Sequence, residues 1–90
     1  MNKGELVAFI ADGAGLSKAE VERSLNLITD GIIHALKKGH DISLVGFGSF
    51  HIQTRKPRDG RNPKTGEKMR IPGYKQPVFK AGKKLKEACN

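Results

Sequence analysis

Ninety residues carrying a net charge of +8 make one small domain, whose core alone supplies on the order of 3–5 kcal/mol. The single cysteine, Cys89, excludes an internal disulfide framework and a cysteine-built metal site. No apolar run is long enough for a membrane-spanning helix, and Met1–Glu5 leads straight into a helical pattern, so a cytoplasmic, nucleoid-associated location is expected.

The charge is unevenly spread. Residues 1–50 hold five Lys/Arg against six Asp/Glu, and residues 51–90 hold twelve against three, giving −1 and +9. A neutral half joined to a strongly cationic half is the footprint of a polyanion binder, with nucleic acid first and anionic membrane second.

In chain order, Asn2 and Glu5 have the spacing of a capping box, and Leu6, Val7, Phe9 and Ile10 supply a helical apolar face to about Asp12, ended by Gly13 and Gly15. Ser17 and Glu20 form a second capping box. Val21, Leu25, Ile28, Ile32 and Leu36 then step by four, three, four and four, which predicts a helix over 18–38 stopped at Gly39. Leu27 and Ile33 widen its apolar stripe beyond what one short partner helix covers.

Alternation over 41–45 and 49–55 about Gly46-Phe47-Gly48 predicts a hairpin with Ile42, Leu44, Phe50 and Ile52 on its buried face, and Phe47 folded back onto the core. Arg55–Tyr74 follows, a stretch with almost nothing apolar to bury and a turn signal at Asn62-Pro63-Lys64-Thr65-Gly66. It reads as an arm of two legs, about ten residues each and ~35 Å long if extended. Lys75–Lys80 reads as a returning strand that Pro77 confines to an edge or bulge. Lys83–Ala88 reads as a short basic helix with Leu85 and Ala88 packed down. The order helix, helix, hairpin, arm, strand, helix makes the class α+β. One domain spans 1–90, with 1–54 and 75–90 as the body and 55–74 as the arm.

The matching text is dense: N-K-x-E-L at Asn2–Leu6, A-G-L-S-K at Ala14–Lys18, G-F-G-S-F at Gly46–Phe50, G-R-N-P-K-T-G-E at Gly60–Glu67, P-V-F-K at Pro77–Lys80 and G-K-K-L-K at Gly82–Lys86. Through these the chain resembles the bacterial histone-like HU and integration host factor family over essentially its whole length, and its length favours the HU branch. The resemblance implies an intertwined homodimer, or a heterodimer with a paralogue, with a helical base, a three-stranded antiparallel sheet and two extended β-ribbon arms that reach around double-stranded DNA in the minor groove. It places the family's wedge proline on Pro63 and its arm cations on Arg55, Arg58, Arg61, Lys64, Lys68 and Arg70, with Asn62 and Lys75 beside them. Body contacts to phosphate fall on Lys3, Lys80, Lys83 and Lys86. The dimer core falls on Leu25, Ile28, Ile32, Leu36, Leu44, Phe47, Phe50 and Phe79.

No enzyme is legible. His34, His40 and His51 have neither helical pairing nor a carboxylate cluster, and read as surface or interface residues rather than metal ligands. Gly46-Phe47-Gly48 lacks the strand–helix context of a phosphate-cradling loop, and no cofactor or small-molecule substrate is indicated. An RNA-binding module would need exposed aromatics, where the arm offers only Tyr74. A membrane binder would need an apolar face, where the last helix has only Leu85 and Ala88. Site-specific bending of the integration host factor type is the remaining alternative.

Overall fold

Asn2 opens the first helix of the computed structural model, which describes residues 1–90: its Oδ1 accepts the Glu5 N–H at 2.9 Å. Such a cap is worth about 1 kcal/mol. Helix α1 spans Lys3–Ala14, two residues beyond the sequence expectation. Gly13 keeps helical geometry, and the stop is made by Gly15 (φ 67°) with the N–H groups of Gly15 and Leu16 both aimed at the Ala11 carbonyl. Helix α2 spans Lys18–Lys37 and starts with Ser17 Oγ accepting the Glu20 N–H at 3.1 Å.

The chain divides into two units, Met1–Ala35 and Leu36–Asn90. In the first, only Val7, Ala11 and Val21 are buried, with Leu25 packed against them. Fully burying a Val side chain stabilises by roughly 1.5–3 kcal/mol, so this core is small. Much more apolar surface stays outside: Phe9 is 68% exposed, Leu27 74%, Ile28 57% and Ile33 64%.

The second unit begins as Gly39 (φ 85°) donates to the Leu36 carbonyl and ends α2. Strands β1 (Ile42–Leu44), β2 (Gly48–Arg55) and β5 (Tyr74–Ala81) form an antiparallel sheet in the order β1-β2-β5. Pro77 therefore lies on an edge strand, opposite Ile52, as its missing N–H requires. Phe79 is the hub of the sheet's apolar face. Its ring centroid lies 4.8 Å from that of Phe50 and 5.7 Å from that of Phe47. Gly48 is buried beneath it, where an added Cβ would stand 2.5 Å from the Phe79 ring and 2.7 Å from the Lys80 carbonyl. Phe47 does fold onto Phe79, yet stays half exposed. Helix α3 (Lys83–Ala88) is pinned at its start by Gly82 N–H donating to Phe47 O and Lys84 N–H to Gly46 O. Leu85 is half-buried, and Ala88 is exposed rather than packed down.

The arm is not one continuous ribbon. Strands β3 (Arg58–Arg61) and β4 (Lys68–Ile71) pair in a second sheet of their own. Counting on from the Arg55↔Tyr74 pair puts Lys56 opposite Gly73 and Pro57 opposite Pro72, and then reaches Arg58↔Ile71. Two prolines face each other where the ladder breaks. Neither has an N–H to donate, so the pairing is interrupted on both legs at once. Gly73 is needed at the break, since a Cβ there would lie 2.9 Å from the Arg55 carbonyl oxygen.

Candidate nucleic-acid interface

The arm's tip is a closed local structure. Asn62 N–H donates to Glu67 O at 2.8 Å, Gly66 N–H donates to Asn62 O at 2.7 Å, and Asn62 Oδ1 accepts the Lys64 N–H at 2.9 Å. Gly66 adopts φ 73°, and Thr65 Oγ1 accepts the Glu67 N–H. Pro63 and Lys64 are exposed at the extremity, while the side chain of Asn62 is used inside the turn.

Alternation gives the outer ribbon two unlike faces. Arg58, Gly60, Met69 and Ile71 share one; Asp59, Arg61, Lys68 and Arg70 share the other. On the first face Ile71 is half-buried over Gly60, whose added Cβ would meet Ile71 Cδ1 at 2.8 Å. The arm thus has a small apolar contact of its own, contrary to the expectation of almost none. On the second face Asp59 and Arg70 sit directly opposite and form an ion pair at 3.1 Å. Arg61 and Lys68, the next pair out, face each other with no acidic partner. They repel, and neither charge is neutralised within the chain.

The other expected contacts are spread along the second unit. Arg55 closes β2, its Nε donating to Gln76 Oε1 at 3.2 Å, and Lys75 lies near the start of β5. Lys80 is on β5 opposite Ser49, and Lys83 and Lys86 are on α3, with Lys83 Nζ 3.9 Å from Glu87. Lys3 lies in the first unit, where its Nζ donates to Asn26 Oδ1 at 2.6 Å. Of the expected dimer-core residues none is buried: Ile28, Leu44, Phe47 and Phe79 are exposed, and Leu25, Ile32, Leu36 and Phe50 are half-buried. His34 and His40 are exposed, His51 is half-buried, and no three His, Cys, Asp or Glu side chains converge as metal ligands would.

A cleft of about 230 Å³ at the base of the arm went unforeseen. Arg55, Lys56, Arg58, Ile71 and Tyr74 line it. Its residues are adjacent in sequence or across a pair, but only the break at the prolines gathers them, and that needed the register.

Known proteins match this arrangement closely. The family model described as bacterial DNA-binding protein matches residues 1–90. The chain belongs to the bacterial HU DNA-binding family. DNA-binding protein HU of Rickettsia conorii is 52% identical, with 100% of each chain covered, and that of Geobacillus stearothermophilus is 48% identical over 98% of each. Among solved structures, the HU of an Anabaena HU–DNA cocrystal superposes with a TM-score of 0.93 at 47% identity, covering 99% of this chain and 97% of that one. A mutant HU from Thermotoga maritima gives a TM-score of 0.73 at 37% identity, with both chains covered completely. The family explains why one stretch of this chain is devoted to a charged ribbon rather than to a core. No helix is long and apolar enough to cross a membrane.

Proposed function

We propose that this chain is a nucleoid-associated architectural protein that binds double-stranded DNA largely without sequence specificity, enters the minor groove with its arms, and bends and compacts the duplex. The observation that carries this reading is the tip: an exposed Pro63 on a hydrogen-bonded turn, flanked on both legs by Arg58, Arg61, Lys64, Lys68 and Arg70. The eight residues from Arg55 to Asn62 span about 26 Å at ~3.3 Å each, enough to follow a groove ~6 Å wide around a duplex. Arg and Lys there meet phosphates and the negative potential of the narrow groove. Pro63 has no N–H, so it loses no ladder hydrogen bond at the apex, and its compact ring is a wedge for a base step. Unstacking costs a few kcal/mol, which added backbone contact on bent DNA offsets.

The body's role is to hold two arms facing each other in a homodimer, or in a heterodimer with a paralogue. Exposed Leu27, Ile28, Ile33, Leu44 and Phe79 support this, because a stable monomer rarely leaves so much apolar surface in water. Residues 1–54 and 75–90 are this body and 55–74 the arm, a division that falls beside the ladder break. Lys3, Lys75, Lys80, Lys83 and Lys86 serve phosphates outside the groove, with no cofactor involved.

The test is a ring-closure or energy-transfer assay on random-sequence duplexes. Wild type is expected to bend them, and Pro63→Ala to lose bending more than binding. Equal loss of both would make Pro63 a shaper of the arm rather than a wedge. Footprinting on random against chosen duplexes separates this reading from site-specific bending: protection confined to one sequence would overturn it.

A further inference from the structure

The hydrogen-bond phase of the two sheets differs, and the difference builds a site. In the body sheet Gly82 N–H donates to Phe47 O, so Phe47 and its successors at every second position, through Arg55, bond to β5. Pro77 opposite Ile52 falls in the other phase, with its missing N–H turned outward, as this requires. In the arm the bond from Asn62 N–H to Glu67 O sets the opposite phase, so Gly60↔Met69 and Arg58↔Ile71 are the bonded pairs. Had the body's phase continued, Pro57↔Pro72 would have been the next bonded pair, and neither can donate. The phase therefore slips by one residue at the prolines.

A side chain's face follows from whether its backbone groups point toward or away from the partner strand. The slip consequently turns Arg58 and Ile71 to the same side as Arg55 and Tyr74, where strict alternation would have put them on opposite sides. These two pairs, with Lys56, are the residues that line the cleft. The Asp59 carboxylate stays on the other face, held by Arg70, and does not neutralise it.

We propose that this cleft is a seat for one phosphodiester of the bound duplex, with Lys56 and Tyr74 as its newly assigned ligands. Arg55, oriented by Gln76, and Arg58 supply further donors, and the Tyr74 hydroxyl adds one uncharged donor. Ile71 forms an apolar wall that strengthens each charge contact by excluding water. The seat anchors the root of the arm, so that the wedge at the tip pulls against a fixed point. It rests on the DNA-binding reading given above.

Tyr74 is the only tyrosine, so 3-fluorotyrosine labelling gives one fluorine resonance that reports on the cleft alone. Random-sequence duplex is expected to shift that resonance, and Lys56→Gln to reduce the shift. Lys56→Gln should also flatten the slope of log affinity against log salt by about 0.9 per arm, one phosphate contact in each. Tyr74→Phe should weaken binding several-fold without changing that slope, since it removes a donor and no charge. Lys18→Gln, which removes a charge in the first unit, should alter neither readout. A wild-type chain that binds duplex while its resonance stays fixed, or a Lys56→Gln slope equal to wild type, overturns the cleft and leaves DNA binding standing. A wild-type chain that binds no duplex overturns both.

Discussion

Replacing Arg61 and Lys68 by Gln together tests the arm most directly. They are register partners on one face of the outer ribbon, both exposed, and neither has an acidic partner. Each phosphate contact contributes about −0.9 to the slope of log affinity against log salt, so losing both flattens the slope by about 1.8 per arm. Between 50 and 200 mM salt that is about a 12-fold smaller loss of affinity per arm than wild type suffers, or about 150-fold for a dimer with both arms bound. Stability should hold within about 0.5 kcal/mol, because exposed side chains without partners add little to it. Fluorescence anisotropy on a labelled random duplex across a salt series reads the slope, and thermal melting by circular dichroism reads the fold. Parallel lines for variant and wild type, offset but equally steep, would refute phosphate contact by these two residues.

Asp59→Asn frees Arg70 from its ion pair. Both side chains are more than two-thirds exposed, so the melting midpoint should barely move, while salt dependence steepens by up to about 0.9; an unchanged slope would mean Arg70 already contacts DNA. Gly48→Ala pushes a Cβ into the Phe79 ring and should cost about 1–3 kcal/mol, with Phe79→Leu in the same chain recovering part of it; wild-type melting of the single variant would contradict the packing. Because the proposed dimer shares its core, the melting temperature should rise with protein concentration, and a constant value over a hundredfold range with monomer mass in light scattering would remove the dimer.

Much of the fold is legible where local chemistry decides the outcome. The caps at Asn2 and Ser17 are side chains bonding to backbone three residues on, and the long stripe from Val21 to Leu36 has one helical reading. Helix α3 matches its expected bounds because Gly82 and the run behind it leave little alternative. Gly13 misled, since it keeps helical geometry, and Gly15 makes the stop by taking positive φ. The arm's break was hidden for a different reason. Pro57 and Pro72 lie fifteen residues apart in sequence, and their opposition follows only once Asn62 and Glu67 are known to close the turn. The Asp59–Arg70 pair and the cleft at Tyr74 depend on that same register. A one-residue change in where a hairpin closes moves every cross-strand contact.

The same turn bears on how a mobile arm can drive a wedge into stacked bases. A two-stranded ribbon has little support in water and moves freely. Were residues 62–66 also disordered, fixing them on the DNA would cost about 1–2 kcal/mol each. Together that exceeds the few kcal/mol needed to unstack one base step. The three bonds made by Asn62 remove most of that cost beforehand, since they hold the loop closed before any ligand arrives. On the proposed reading Asn62, which the family resemblance places among the DNA contacts, would act by positioning Pro63, since its side chain is used inside the turn. The ladder is interrupted only between Arg55↔Tyr74 and Arg58↔Ile71, so the outer ribbon is joined to the body sheet without paired backbone at Pro57 and Pro72. The hydrogen-bonded turn at the tip is where the proposed wedge would need its support.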